Sequence, residues 1–296
     1  MSTIDILPAV ADALDAGLPV VALESTVYST LGLPAPHNAN VLAASRQAIA
    51  SHGAMPAVTA VLDGRPTVGI DDDDAILSAT DKVAARDLAV AMAQRWPVGV
   101  TTVGASLTLA SHAGIDVFAT GGIGGVHRGA AEHGDISGDL PVIAKYPIAT
   151  VCAGAKSFLD LGRTLELLET LGVPVIGFGT DELPAFTAAQ SGLEVPHRSD
   201  DPAEIAEMIR ARKALGLGGV LVAVPPPQPI DQDLLDQATA EAEARADAAG
   251  VTGPSRTPFV LAAIAELTDG RSVESNTALV RNNADVAARI AVALRA

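Results

Sequence analysis

The chain has 296 residues, 49% of them hydrophobic, with 19 basic against 35 acidic side chains and a net charge of -16. That length and apolar content suit one large α/β domain or two small ones; the charge argues against nucleic acid, which binds through Lys and Arg, and 3% aromatic residues leave few platforms for base stacking. The single cysteine, Cys152, excludes an intrachain disulfide and suits a reducing cytoplasm, residues 1–10 lack the basic-then-apolar pattern of a secretion signal, and the longest glycine-broken apolar run, 215–224, is too short to span a bilayer, so a soluble protein with a small-molecule substrate is expected.

Residues 4–16 carry apolar side chains at helical spacing, and 18–23 (LPVVAL) read as a buried strand by their continuous apolar run. Glu24 follows at the carboxyl end of that strand, where open α/β sheets gather ligands, with Ser25 and Thr26 beside it. From this segment alone, a helix cap or surface acid is the plainer reading of Glu24. A loop through Pro34, Pro36, His37 and Asn38 leads to a helix over about 38–51. Residues 57–62 form the next strand, which Asp63 and Gly64 turn into a hairpin with 66–70. The acids Asp71 to Asp74 suit a helix N-terminus better than a metal. Lys82, in isolation an ordinary solvated lysine, precedes a helix ending at Arg95; 98–103 (VGVTTV) is a strand and 105–112 a small-residue helix with His112 near its end.

Residues 116–140 (DVFATGGIGGVHRGAAEHGDISGDL) open as a strand at 117–119 and then become a glycine-rich loop. Its glycines free the backbone to approach a bound group and to present consecutive N–H groups to an anion. Thr120, His127, Arg128, Asp135, Ser137 and Asp139 bring a hydroxyl pair, an imidazole, a guanidinium and two carboxylates into that loop. A plain connection has no use for them, whereas a phosphate with a metal would use them all.

Beyond the loop, 148–152 (IATVC) is a strand, 153–155 turns, and Lys156 stands before a helix over 157–171 that carries Phe158, Leu161, Leu165, Leu168 and Leu171 on one stripe. Only four lysines occur, Lys82, Lys145, Lys156 and Lys213, in a chain that otherwise uses arginine. An amine can lose its proton and a guanidinium cannot, so a lysine among small residues at a strand end is a candidate nucleophile toward carbonyls. Strands at 173–178 and 219–224, separated by a helix over 203–215, continue the β/α alternation. A Pro-rich loop at 225–229, an acidic helix over 231–249, a helix from 257 to 267 and a last helix over 275–294 follow, with Asn276, Asn282 and Asn283 near the start of the last. No repeat or linker interrupts the chain. One three-layer α/β/α domain over 1–296, with a largely parallel or mixed central sheet, is the economical reading.

Assembled in order, VVALEST (20–26), KVAARDL (82–88), TTV (101–103), VFATGGIGGVHRGA (117–130), DISGDL (135–140), VCAGAKS (151–157), LETLGVPVIGF (168–178) and SNTALVRNNA (275–284) closely resemble the pseudouridine-5'-phosphate glycosidase family over nearly the whole chain. The resemblance implies reversible cleavage of the carbon–carbon glycosidic bond of pseudouridine 5'-phosphate to uracil and ribose 5-phosphate. It also implies one divalent cation per subunit, such as Mn²⁺, and a homo-oligomer, a trimer. By the same resemblance Lys156 is the nucleophile, Glu24 the proton donor and Asp135 the metal ligand. Lys82, Val103, Ser137, Gly138 and Asp139 fall on substrate contacts, and Thr120, His127 and Asn276 are expected to line the pocket. The chain departs from the family's pattern after Glu24-Ser25-Thr26, where Val27 to Gly32 replace a histidine-glycine turn, and at Gly138, where alanine is common.

Two rivals keep the lysine or the pocket but change the function. One is another imine-forming sugar-phosphate lyase or aldolase, separated by release of uracil; the other is a silent sugar-phosphate sensor, separated by turnover. A chain that retains Glu24, Lys82, Asp135 and Lys156 together speaks against the sensor.

Overall fold

A computed structural model describes residues 4–296. The first half supplies β1 (Asp5–Ile6), α1 (Pro8–Asp15), β2 (Val20–Leu23), α2 (His37–Ser51), β3 (Met55–Leu62), β4 (Arg65–Val68), α3 (Asp73–Leu77), β5 (Lys82–Val83), α4 (Leu88–Gln94), β6 (Val98–Thr101), α5 (Val103–Ala113) and β7 (Val117–Ala119). After the glycine stretch, which holds β8 (Val126–His127) and α6 (Ala130–His133), come α7 (Asp139–Lys145), β9 (Ala149–Cys152), β10 (Leu159–Asp160), α8 (Leu161–Thr170), β11 (Val175–Phe178) and β12 (His197–Ser199). The chain ends with α9 (Pro202–Ala214), β13 (Val220–Ala223), α10 (Gln232–Ala248), α11 (Arg256–Leu267) and α12 (Arg271–Ala293).

Eleven strands join in one sheet, ordered β1-β4-β3-β2-β7-β9-β13-β11-β12, with β6 beside β3 and β5 beside β6. Every pairing is parallel except β3 with β4 and β3 with β6. The central strands read VVAL, VFA, ATVC and VLVA because helices cover both faces, and each of these residues is buried. Alternation sorts them: Val21, Leu23, Val117, Ala119, Val151 and Val222 pack beneath α2, α9 and α12, while Ala22, Phe118, Cys152 and Leu221 face α1, α5, α7 and α10. This is the three-layer α/β/α architecture expected. Among the described residues, no helix is long and apolar enough to cross a membrane.

Several local expectations differ. Residues 4–16 are not one helix: Asp5 and Ile6 pair in parallel with Thr67 and Val68, and Pro8, which has no N–H to give, starts α1 after them. The helix after Lys156 begins at Leu161, capped by the Asp160 side chain, because Leu159 and Asp160 first pair with His127 and Val126. Lys156 therefore does not sit at a helix N-terminus. The strand His197–Ser199 has no apolar run to announce it; it is an edge strand beside β11.

One close approach makes a test of the packing. A Cβ placed on Gly218 would lie 1.7 Å from the Ala144 carbonyl oxygen at the end of α7. Backbone cannot yield there as a side-chain tip would, so Gly218→Ala is expected to cost about 1–3 kcal/mol or more, read as a lower urea midpoint at unchanged slope.

Candidate active site

Parallel pairing brings three strand ends to one edge, with Leu23 beside Ala119 and Ala119 beside Val151. Glu24 and, after a turn, Lys156 emerge there into a cavity of about 720 Å³, at the carboxyl edge where α/β sheets collect ligands. Lys82, Val103, His127, Asp135, Ser137, Gly138, Asp139 and Asn276 line the same cavity. Thr120, expected among them, is not part of its lining; it stands behind Glu24 and donates its hydroxyl to Glu24 Oε1.

Glu24 owes its position to its two neighbours. Ser25 Oγ accepts the Thr101 N–H at 2.9 Å, and Thr26 Oγ1 donates to the Thr101 carbonyl at 2.8 Å, which ties the turn to the end of β6. Thr59, Thr101 and Ser106 continue a buried hydroxyl cluster beneath. Glu24 itself is only 7% exposed. Burial raises its pKa from 4.5 to about 7, opposed in part by the charge of Lys156 and the Thr120 hydrogen bond. Such a carboxyl exchanges protons readily near neutrality.

The lysine turn and the glycine loop hold each other by prolonging the β7–β9 ladder beyond the sheet. Ala153 N–H donates to Gly121 O at 2.8 Å, Ile123 N–H to Gly154 O at 3.0 Å, and Lys156 N–H to Ile123 O at 3.2 Å. Gly154 takes a φ of +77°, with the Pro184 carbonyl 2.4 Å from where a Cβ would be, so the turn admits only glycine there. Asn283, in the middle of α12, donates to the Thr120 carbonyl at 2.8 Å and fixes the start of the loop from the opposite layer.

Asp139 is a clamp as well as a lining residue. Its Oδ1 accepts the Gly104 N–H in the first turn of α5 at 2.9 Å, and its Oδ2 accepts the Gly124 N–H at 3.0 Å. A buried carboxylate thus takes the anion position of that helix start and holds the glycine loop against it. Lys82, on β5, is half-buried; desolvation and the nearby charge of Lys156 lower its pKa, with Asp139 opposing. Thr102, just before α5, lines the cavity with a buried hydroxyl that has no partner among the described residues.

His127 Nδ1 lies 3.9 Å from Asp135 Oδ2. Burial lowers the His127 pKa and the Asp135 carboxylate opposes it. Among the described residues, no three His, Cys, Asp or Glu side chains converge closely enough to cage a metal. A cation at Asp135 would therefore be held by one carboxylate and water, not by an all-protein site.

Phe186 carries no sequence signal of its role. It lines the cavity with φ of +63°, an unusual conformation for a buried aromatic residue, fixed by its N–H donating to Ala153 O at 3.1 Å. Its ring packs on Gly122, where a Cβ would come within 2.7 Å of a ring carbon. Thr257, Pro258 and Leu261 at the start of α11, equally unmarked by any motif, complete the wall.

The family model described as indigoidine synthase A like protein matches residues 9–293. Relatives named pseudouridine-5'-phosphate glycosidase are 49% identical in Myxococcus xanthus over 95% of both chains, 48% in Herpetosiphon aurantiacus over 99% of both, and 50% in Methylobacterium nodulans over 99% of this chain and 88% of that one. Among solved structures, a prealnumycin C-glycosynthase in complex with ribulose 5-phosphate superposes with a TM-score of 0.90 at 34% identity, and an indigoidine synthase A-like protein from Thermotoga maritima with 0.89 at 31%; each match covers 100% of this chain and 98% of the other. With the sheet order, the strand-end carboxylate and lysine, and matches over nearly its full length, the chain belongs to the indigoidine synthase A like family, the family of the pseudouridine-5'-phosphate glycosidases to which it is nearly half identical.

Proposed function

We propose that this protein cleaves the C1'–carbon glycosidic bond of pseudouridine 5'-phosphate, reversibly, giving uracil and ribose 5-phosphate. The observation that carries this reading is the placement of Lys156 and the buried Glu24 at neighbouring strand ends in one cavity, in a chain so similar to relatives bearing that name. The structural relative bound to ribulose 5-phosphate supports a pentose-phosphate pocket.

The chemistry needs these residue types. A C-nucleoside offers no glycosidic oxygen or nitrogen to protonate, so the usual carboxylate pair would lack a leaving group. In the proposed course Lys156 Nζ attacks C1' as the ribose ring oxygen departs and takes the proton that Nζ gives up. Glu24 then protonates the base carbon, the C–C bonding electrons return to the base, and the Nζ lone pair forms the imine. Water hydrolyses the imine and frees Lys156. Thr120 orients Glu24, and Asp139 with Asn283 holds the loop carrying the polar contacts. Lys82 and loop N–H groups bind the phosphate, with Thr102 offering its hydroxyl beside them.

Asp135 would hold the cation through a single carboxylate, with His127 beside it; when bound, a divalent ion supplies positive charge to a phosphate or hydroxyl oxygen. The test is direct: purified protein with Mn²⁺ and pseudouridine 5'-phosphate is expected to release uracil and ribose 5-phosphate in equal amounts. Chelation is expected to lower the rate at least about tenfold, with Mn²⁺ restoring it, and Asp135→Asn to raise the Mn²⁺ concentration required. Folded protein that releases no uracil would overturn the reading.

A further inference from the structure

A second cavity of about 320 Å³ adjoins the first. Leu31, Gly32, Phe186, Pro258, Leu261 and Asn276 line both, so the two share a boundary. Their chemistry differs. Glu24, Lys82, Asp135, Asp139 and Lys156 line the first, whereas no charged side chain lines the second. The chain itself crosses the boundary at the proposed nucleophile: Lys156 faces the first cavity and Ser157 the second. The boundary thus passes beside the residue that would hold the sugar. Asn276 stands there, 7% exposed, and its Oδ1 accepts no hydrogen bond among the described residues. A buried acceptor left without a donor is matched by a ligand N–H; one ring N–H of a pyrimidinedione provides it and leaves the other ring nitrogen for a substituent.

We infer that the second cavity is an extension of the base subsite that takes an uncharged, apolar substituent on the base. The substrate class then includes C-ribosyl 5'-phosphates of N-alkyl or N-benzyl pyrimidinediones as well as the unsubstituted compound. This rests on the proposed function. At about 320 Å³ the cavity lies at the lower end of the volumes that hold small-molecule ligands, so a benzyl group fits without moving the charged chamber. The reaction is unchanged: the C1'–carbon bond breaks, the base carbon gains a proton, and water supplies the oxygen at C1' of ribose 5-phosphate.

Turnover of pseudouridine 5'-phosphate and of its 1-benzyl and 3-benzyl derivatives tests the inference. At least one derivative is expected to react with kcat/KM within about tenfold of the parent, because an added apolar group in a fitting pocket changes discrimination only modestly. Ala265→Phe and, independently, Val273→Trp fill the second cavity from residues that do not line the first. Each is expected to lower kcat/KM for the accepted derivative by at least about tenfold while sparing the parent, whose unchanged turnover reports an intact fold. Rejection of both derivatives by more than about a hundredfold beside normal turnover of the parent would overturn the inference and leave the proposed function standing, as would an accepted derivative indifferent to both substitutions. Loss of both readings follows only if the folded wild type fails to turn over the parent.

Discussion

Lys156→Ala is expected to reduce uracil release from pseudouridine 5'-phosphate by on the order of 10⁴, through kcat and not KM, because a covalent route has no substitute for its nucleophile. The variant should fold. Lys156 is held by its backbone, through its N–H to Ile123 and its carbonyl to the Leu159 N–H at 3.0 Å, and neither bond involves the side chain. Lys156→Arg is expected to be no better, since a guanidinium keeps its proton and cannot attack C1'. Borohydride added during turnover is expected to fix ribose phosphate on the peptide containing Lys156. An alanine variant within about tenfold of wild type would remove the imine from the proposal, and an adduct on Lys82 would exchange the roles of the two lysines.

Lys156 stands out in the amino-acid sequence because of where strands end. The sheet buries both faces of β2, β7, β9 and β13, so each is a short unbroken apolar run, and the first chemistry-bearing residue after such a run falls at the ligand edge. Glu24 and Lys156 are legible in that way; their roles come from the family resemblance, since position alone distinguishes neither from a cap or a solvated lysine. What stays hidden depends on distant partners. Asp139 is spelled like a ligand, and nothing near it in the sequence shows that it also grips Gly104 and Gly124; Asn283 supports Thr120 from 163 residues away. The two-residue strands β8 and β10 are too short to show a period, and their pairing is what delays the helix after Lys156 to Leu161. Phe186 gains its place through a strained backbone, which no residue pattern announces.

Glu24→Gln is expected to give a protein that is nearly inactive and yet more stable at neutral and alkaline pH. The carboxyl goes from 4.5 to about 7 chiefly because burial penalises its charge. Between those values the folded state binds more protons at this position than the unfolded chain, so the contribution of Glu24 to stability falls as pH rises from about 4.5 and levels off above about 7. At about 1.4 kcal/mol per tenfold change in proton affinity, the full cost is about 3 kcal/mol, incurred wherever the buried carboxylate must be charged. Glutamine keeps an oxygen for the Thr120 hydroxyl and carries no charge. The variant is therefore expected to exceed wild type by up to about 3 kcal/mol in urea unfolding at pH 8 and to lose that advantage by pH 4.5. Activity moves the other way. A proton donor must hold its proton, so wild-type kcat/KM is expected to fall on the alkaline side of about pH 7, and Glu24→Gln to lower it by about 10²–10⁴ and abolish that limb. Equal stability of the two proteins at pH 8 would show that Glu24 is not held in a desolvated site, and an unaltered alkaline limb in the variant would assign the titration to another group.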